Sequence, residues 1–244
     1  LDQWMSGLVK QELLPFAMTM VVRSEGVGYW RWCGFANPAQ GLPPAPNTLL
    51  RMYSMTKPVT ALTAVLLEDK GLLDLNAPVE TLIPEMANWR ALNHPAAELQ
   101  DCTSLSCGPT LLQLLTHTSG ISYGDAQGSM LDQALAQKIA RNCSLGGLLN
   151  TLSELPLVFP PGTAWCYGYG LDVLGVAMMR ATGKSLGKLF DEFVFQPLGM
   201  TDTGFEVSSS AVSRLAILYH SEADNRLTEI SMEPPLGPQV GGSQ

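Results

Sequence analysis

Charged residues are scarce in this sequence, and positively charged ones are the scarcer. Of 244 residues, 15% are charged, and 14 Lys and Arg stand against 22 Asp and Glu, for a formal net charge of -8. The basic residues form no cluster, which argues against nucleic acid or an anionic membrane surface as a partner. No apolar run approaches the length of a membrane-spanning helix. The 46% of hydrophobic residues predicts a globular protein with a sizeable core.

Cysteines are also few, and their number is odd. The five are Cys33, Cys102, Cys107, Cys143 and Cys166. An odd count does not suggest a disulfide framework. Cys102 and Cys107 are close enough in sequence to form a disulfide across a loop, but two reduced thiols are an equal alternative. No Cys and His spacing resembles a zinc site, and no Gly-rich phosphate loop is present. We therefore expect neither metal nor cofactor. No secretory signal precedes the predicted fold, but the first residue is Leu1 rather than Met, so the absent signal decides little. The compartment is left open, with a cytoplasmic location slightly favoured.

The pattern of greatest chemical interest lies in the segment RMYSMTKP, residues 51–58. It reads Ser-x-x-Lys, with Ser54 and Lys57 three residues apart. It opens a stretch whose apolar residues recur on one face at helical spacing, namely Val59, Leu62, Val65 and Leu66. Gly71 is a plausible end of that helix, and Pro58 falls within its first turn, where a missing N–H does little harm. Ser54 is therefore predicted at or near a helix N-terminus.

That placement has a chemical use. A serine hydroxyl is a weak nucleophile until a neighbouring group takes its proton. A lysine can take it only as a neutral amine, a state favoured by burial and by the positive end of a helix dipole. The free N–H groups at the helix start can also stabilise an oxyanion. Ser54 and Lys57 are accordingly candidates for nucleophile and base, although a serine at a helix start, taken alone, is more typical of an N-cap.

The spacing alone does not identify a site, because the chain contains it twice. Ser185-Leu186-Gly187-Lys188 has the same form and follows Ala181-Thr182-Gly183-Lys184. This position favours Ser185 as the N-cap of the next helix.

The remaining elements follow from periodicity and turn signals. Residues 16–22 and 27–35 predict a hairpin, preceded by an amphipathic helix over residues 1–14. Residues 89–108 show no clear period and are interpreted as an irregular insertion. Further helices are predicted over residues 111–115, 130–139, 145–152, 171–182 and 190–198. His117, which follows the first of these, could serve as a general base, but beside Ser119-Gly120 it is more typical of a residue that holds a turn by hydrogen bonds.

Four segments together resemble the serine β-lactamase and penicillin-binding-protein superfamily, and within it most closely the family VIII carboxylesterases. They are RMYSMTKPVTALTAVLLEDKGLLDLNAPV (residues 51–79), TLLQLLTHTSGISYG (110–124), PPGTAWCYGYGLDVLG (160–175) and QPLGMTDTGF (196–205). They occur in the order that the family has. The resemblance implies an α+β fold, with an antiparallel sheet flanked by helices and a mostly helical insert over roughly residues 80–160. It also implies one catalytic domain across residues 1–244.

The resemblance carries three functional residues onto this chain. Ser54 matches the family's nucleophile, Lys57 matches its Ser-x-x-Lys lysine, and Tyr167 matches the tyrosine that assists proton transfer. Lactamase-like relatives continue that second motif as Tyr-x-Asn, whereas this chain reads Tyr167-Gly168-Tyr169. The amide-binding Asn is absent, which favours an ester over a lactam or peptide as substrate.

The resemblance implies a serine esterase that cleaves small, short-chain esters through an acyl-enzyme on Ser54. A β-lactamase or D,D-peptidase is the second interpretation, and a catalytically silent binding homologue is the third. The family's third motif has no match here, and residues 240–244 resemble only its Gly-rich lead-in. We therefore expect further strands, from the same chain or from a separate fragment, to complete the sheet that the N-terminal hairpin begins.

Overall fold

A computed structural model of the protein describes residues 1–124, 129–139 and 144–231. The predicted Gly-rich segment 240–244 and Cys143 lie outside these residues. The described chain forms two compact units. One combines Leu1–Arg51 with the segment that starts at Glu206, and the other is Met52–Phe205. Helices and short antiparallel strands occur together, so the predicted α+β class is confirmed.

The helices and strands are short, and most lie close to their predicted positions. The α-helices are α1 (Asp2–Lys10), α2 (Thr56–Asp69), α3 (Leu111–Leu115), α4 (Met130–Lys138), α5 (Leu145–Glu154), α6 (Gly170–Thr182), α7 (Leu186–Phe190) and α8 (Gln196–Leu198). A π-helical turn, Asp191–Phe195, joins the last two. The strands are β1 (Phe16–Arg23), β2 (Gly26–Gly34), β3 (Arg90–Leu92), β4 (Cys102–Ser104), β5 (Tyr219–Ser221) and β6 (Leu227–Glu229). Within the described ranges, no helix combines the length and apolar character needed to cross a membrane.

The first unit is built on the predicted hairpin. Strands β1 and β2 pair antiparallel, from Phe16 opposite Gly34 to Arg23 opposite Gly26. Helix α1 packs on this hairpin and buries Met5, whose sulfur accepts a hydrogen bond from the hydroxyl of Thr19 at 3.1 Å. Strands β5 and β6 form a second hairpin in the same unit.

The second unit has a helical core centred on α6. Nine consecutive residues of this helix, Gly170–Met178, are buried. Helices α2, α3 and α7 pack against it, and α5 supplies Leu148, Leu149 and Leu152 to the same core cluster. Burial over more than two consecutive turns means that neighbouring segments enclose this part of the helix on all sides. This enclosure fixes the start of α6, and the loop before it, relative to α2.

The apolar pattern of α2 predicted the helix but not its buried face. The buried residues are Lys57, Thr60, Thr63, Ala64 and Leu67, whereas Leu62 and Val65 are 45% and 40% exposed. The threonines can be buried because their hydroxyls donate to carbonyls one turn back, Thr60 to Thr56 at 3.2 Å and Thr63 to Val59 at 2.8 Å. Burial of this polar face puts Lys57 inside the protein.

Residues 89–108 are more ordered than the irregular insertion predicted for them. Strands β3 and β4 pair antiparallel. Glu80 anchors both ends of the segment, because its carboxylate accepts Trp89 Nε1–H at 3.0 Å and the Gly108 N–H at 2.9 Å. Three-residue strands are too short to show a period of two. Cys102 and Cys107 both carry free thiols, which decides between the two alternatives.

Candidate active site

Ser54 lies where the Ser-x-x-Lys pattern predicted it. It sits in a 3₁₀ turn, Tyr53–Met55, that leads directly into α2, and it is exposed. Tyr53 has a φ of +42°, in the left-handed region that non-glycine residues rarely adopt. Strained backbone of this kind clusters at functional sites. The turn therefore presents the serine hydroxyl to solvent at the start of a helix.

Lys57 lies one turn further on and is 6% exposed. Its Nζ donates to Ser54 Oγ over 3.4 Å, a long bond of the kind that tightens when substrate binds. The same Nζ lies 5.3 Å from the ring centroid of Tyr123 and 4.8 Å from that of Tyr167. Ring faces at these distances attract the nitrogen when it carries an extra proton, as it would after taking one from Ser54. The amine is thus fixed behind the exposed serine.

Tyr167 brings the third predicted side chain to the same point. It is 37% exposed and hydrogen-bonds to both Ser54 and Lys57. Burial and the charge of Asp172 raise the pKa of the phenol, but the hydrogen bonds to Ser54 and Lys57 and the positive charge of Lys57 outweigh them, so the pKa lies below 10.0. The structure therefore brings together Ser54, Lys57 and Tyr167, although Ser54 and Tyr167 are 113 residues apart in the sequence.

Tyr123 is a site residue that the sequence reasoning missed. Its ring stacks in parallel on Tyr169, with centroids 4.2 Å apart and planes 7° apart, and lies 5.6 Å from the ring of Tyr167. The stack places one aromatic face against Lys57. In the sequence, Tyr123 is an aromatic residue between Ser122 and Gly124, directly after a turn that ends a helix. This pattern is common in loops and does not indicate a site residue.

A buried carboxylate holds the backbone next to Tyr123. Asp132 is 4% exposed and accepts hydrogen bonds from the hydroxyls of Ser122 at 2.9 Å and Ser129 at 2.7 Å. Ser122 Oγ in turn accepts the N–H of Gly124 at 3.2 Å. Charge-assisted bonds are shorter and stronger than neutral ones. This network fixes the residues on either side of Tyr123.

Tyr169 occupies the place where the resemblance expected an amide-binding Asn. It is 8% exposed and stacked on Tyr123, and it precedes the first residue of α6. A buried aromatic side chain in this position contributes packing area. The residue supports the ring cluster around Lys57.

His117 contributes to the turn through its backbone. Its φ is +58°, its N–H donates to Leu114 O at 3.3 Å, and its carbonyl accepts the Cys166 N–H at 2.9 Å. The turn-holding interpretation is thus confirmed for the main chain. The imidazole instead lies against Tyr167, with ring centroids 4.7 Å apart and planes tilted by 31°. Its buried Nδ1 has no hydrogen-bond partner among the described residues. Burial, with the charge of Lys57, lowers its pKa, so a neutral ring lies beside Tyr167.

A close backbone approach sets the position of the Tyr167 loop. A Cβ added to Gly168 would lie 2.1 Å from Ile121 O and 2.7 Å from the carbonyl carbon of Ser122. Real Cβ contacts are never so short, and a backbone carbonyl cannot rotate away. Only glycine lets the loop carrying Tyr167 pack this closely against the chain beside Tyr123.

In the full natural protein that contains this chain, Gly168→Ala is therefore expected to lower both stability and activity. Overpacking typically costs about 1–3 kcal/mol, and displacement of Tyr167 should lower kcat/KM for a p-nitrophenyl ester. Gly146→Ala is the matched control, since nothing lies within 4 Å of a Cβ at that site in α5, and it should leave both quantities unchanged or slightly raise stability. Urea unfolding and initial rates measure the two effects. Wild-type behaviour of Gly168→Ala would contradict this role of the loop.

Among the residues that the structure describes, no group of three or more His, Cys, Asp or Glu side chains is placed to hold a metal ion. The chemistry available at the site is that of a hydroxyl, an amine and a phenol. Such a set moves protons and forms covalent acyl bonds.

Comparisons with known proteins found relatives in sequence and in structure. Residues 1–240 match a family model described as Beta-lactamase. The chain is 36% identical over 224 residues to Esterase EstB of Burkholderia gladioli, covering 90% of this chain and 54% of that protein. It is 32% identical over 232 residues to monacolin J acid methylbutanoyltransferase of Aspergillus terreus, covering 90% of this chain and 55% of that one. This chain thus spans about half the length of these relatives.

Solved structures share the fold. The structure of EstCE1, a hydrolase with promiscuous acyltransferase activity, superimposes with a TM-score of 0.80 at 23% identity, covering 99% of this chain and 66% of that one. Identity at this level shows the fold alone. The predicted α+β fold of this chain is thus shared with the solved structure of EstCE1.

Proposed function

The chain belongs to the beta-lactamase family, and from that premise we propose that it is the serine-bearing part of a hydrolase that cleaves small carboxylic esters through an acyl-enzyme on Ser54. One observation carries the proposal. An exposed Ser54 is backed by the buried Lys57 amine at 3.4 Å, and the Tyr167 phenol hydrogen-bonds to both groups. The 36% identity to an esterase supports the choice of an ester.

The proposed reaction uses the three side chains as one proton relay. Ser54 Oγ attacks the ester carbonyl carbon while its proton passes to Lys57 and Tyr167 as a pair. When the tetrahedral intermediate collapses, the pair returns that proton to the leaving alcohol oxygen. Water then attacks the acyl-enzyme by the reverse path and releases Ser54. The lowered pKa of Tyr167 makes its phenolate easier to form, which suits a group that both takes and returns a proton.

We further propose that esters are preferred over β-lactams. Tyr169 is buried in a ring stack and replaces the amide-binding Asn that the family resemblance led us to expect. A site that lacks a partner for the substrate's hydrogen-bonding group disfavours that substrate by about 10²-fold. We expect p-nitrophenyl acetate and butyrate to be hydrolysed well and nitrocefin poorly, with kcat/KM measured for each. Comparable efficiency on nitrocefin would favour the β-lactamase alternative.

Acyl transfer to an alcohol is a second candidate. The aromatic ring of Trp165 is 66% exposed beside Tyr167, and such a surface favours an organic alcohol over water as acceptor. The 32% identity to a methylbutanoyltransferase supports it. The product ratio between free acid and new ester, measured with p-nitrophenyl butyrate and added benzyl alcohol, distinguishes transfer from hydrolysis.

The single catalytic domain remains a prediction, and we propose that further strands join the N-terminal hairpin in it. Met20, Val22 and Val27 are 53%, 59% and 56% exposed on that hairpin, and the unpaired edges of a two-stranded sheet can accept further strands. We expect residues 1–244 expressed alone to hydrolyse p-nitrophenyl butyrate poorly and to unfold without cooperativity. A monomeric, cooperatively folded and active product would contradict this.

A further inference from the structure

Trp165 is a large aromatic side chain that is exposed next to the site. It is 66% exposed, although tryptophan is highly buried on average. Its ring lies edge-on to that of His117, with centroids 5.9 Å apart and planes 66° apart, and 6.4 Å from the ring of Tyr167. An exposed aromatic side chain that already packs against a neighbouring ring on one side loses little conformational entropy when a ligand binds to its other side.

The backbone beside Trp165 is also fixed. The neighbouring Cys166 N–H donates to His117 O at 2.9 Å, which ties this loop to the turn that follows α3. Trp165 is therefore a preformed apolar surface, held by the same turn that supports the Tyr167 ring.

The position of Trp165 indicates which half of an ester it would contact. In the proposed reaction, the Lys57–Tyr167 pair returns its proton to the alcohol oxygen as the acyl–oxygen bond breaks. That oxygen must come within hydrogen-bond reach of the pair. Groups carried on that oxygen then lie beside Tyr167, and the ring centroid of Trp165 is 6.4 Å from that of Tyr167.

We propose that Trp165 forms the wall of a subsite for the alcohol part of the ester and determines a preference for esters of aromatic alcohols. The inference rests on the proposed function. Offset or edge-to-face aromatic pairs prefer centroid separations of about 4.5–7 Å, so an aryl group beside Tyr167 can also pack on Trp165. The acyl part, bonded to Ser54 in the intermediate, does not depend on this side chain.

The test separates the two halves of the substrate in the full natural protein that contains this chain. Benzyl acetate and ethyl acetate differ only in the alcohol, whereas ethyl benzoate and ethyl acetate differ only in the acyl group. For Trp165→Ala, we expect kcat/KM on benzyl acetate to fall about 5- to 10-fold, mainly through KM. Both ethyl esters should stay within about two-fold of the wild type, and Trp165→Phe should restore most of the loss on benzyl acetate.

Trp4→Ala is the matched control, because Trp4 is 63% exposed and lies in α1; it should change none of the three rates. An equal loss on all three esters in Trp165→Ala would mark the residue as structural and overturn the inference. A fall in kcat/KM of Trp165→Ala on ethyl benzoate, without a fall on benzyl acetate, would overturn the inference as well. Wild-type protein that hydrolyses no ester and is not labelled by a fluorophosphonate would overturn the proposed function, and this inference with it.

Discussion

In the full natural protein that contains this chain, Ser54→Ala is expected to lower kcat/KM for p-nitrophenyl butyrate by about 10⁴-fold or more and to leave the unfolding midpoint unchanged. Ser54 is exposed, so loss of its hydroxyl opens no cavity. Lys57 keeps its hydrogen bond to Tyr167 and its contacts with two aromatic rings. This variant should therefore lose activity without losing stability. Steady-state rates and a urea titration on the same preparation give both quantities.

Ser185→Ala is the matched control, since it carries the same Ser-x-x-Lys spacing. Ser185 Oγ accepts the N–H of Lys188 at 3.4 Å and caps α7, as the sequence predicted. Loss of the Ser185 hydroxyl should lower the free energy of unfolding by about 1 kcal/mol and leave kcat/KM unchanged. At Ser54 we expect the opposite, a large loss of kcat/KM with unchanged stability. Near-normal hydrolysis by Ser54→Ala would refute Ser54 as nucleophile. Wild-type protein that resists a fluorophosphonate at Ser54 would favour the silent binding homologue.

Lys57→Ala and Tyr167→Phe should each slow acylation by about 10³-fold, and the double variant should cost little more than the worse single one. Both residues hydrogen-bond within one cluster with Ser54. Groups that act as one unit give grossly non-additive losses. Phenylalanine should keep the ring contacts with His117 and Tyr123, at 4.7 and 5.6 Å, so the Tyr167→Phe variant should fold. Stopped-flow burst rates measure acylation. Fully additive losses would mean that the two residues act independently.

The pH profile offers a second readout of this pair. Tyr167 has a pKa below 10.0, and the positive charge of Lys57 is one of the causes. The phenolate fraction grows as pH rises through that pKa, so kcat/KM should rise with pH in the same range. Lys57→Ala removes a charge that stabilises the phenolate, and the residual activity should need a higher pH. An unchanged profile would show that the charge of Lys57 does not act on Tyr167.

Several features of the site were accessible from the sequence because they depend on residues a few positions apart. Ser54 and Lys57 lie one helical turn apart in a stretch of helical periodicity, and Pro58 and Gly71 fix its limits. The N-cap at Ser185, which accepts the Lys188 N–H at 3.4 Å, belongs to the same short-range class. Local hydrogen bonding and steric preference suffice to place such elements.

Other features needed the tertiary structure. The sequence by itself determined the position of Ser54 and Lys57 on one helix, and family resemblance added Tyr167 to them. Only the folded chain decided that the threonine face of α2 is buried, that β3 pairs with β4, and that Tyr123 covers Lys57. Burial and ring stacking depend on which distant segments meet, and the apolar period of one helix shows that a face is apolar without showing what will cover it. Gly168 gives the clearest case, because its need for glycine comes from the backbone of Ile121 and Ser122, more than forty residues away in the sequence.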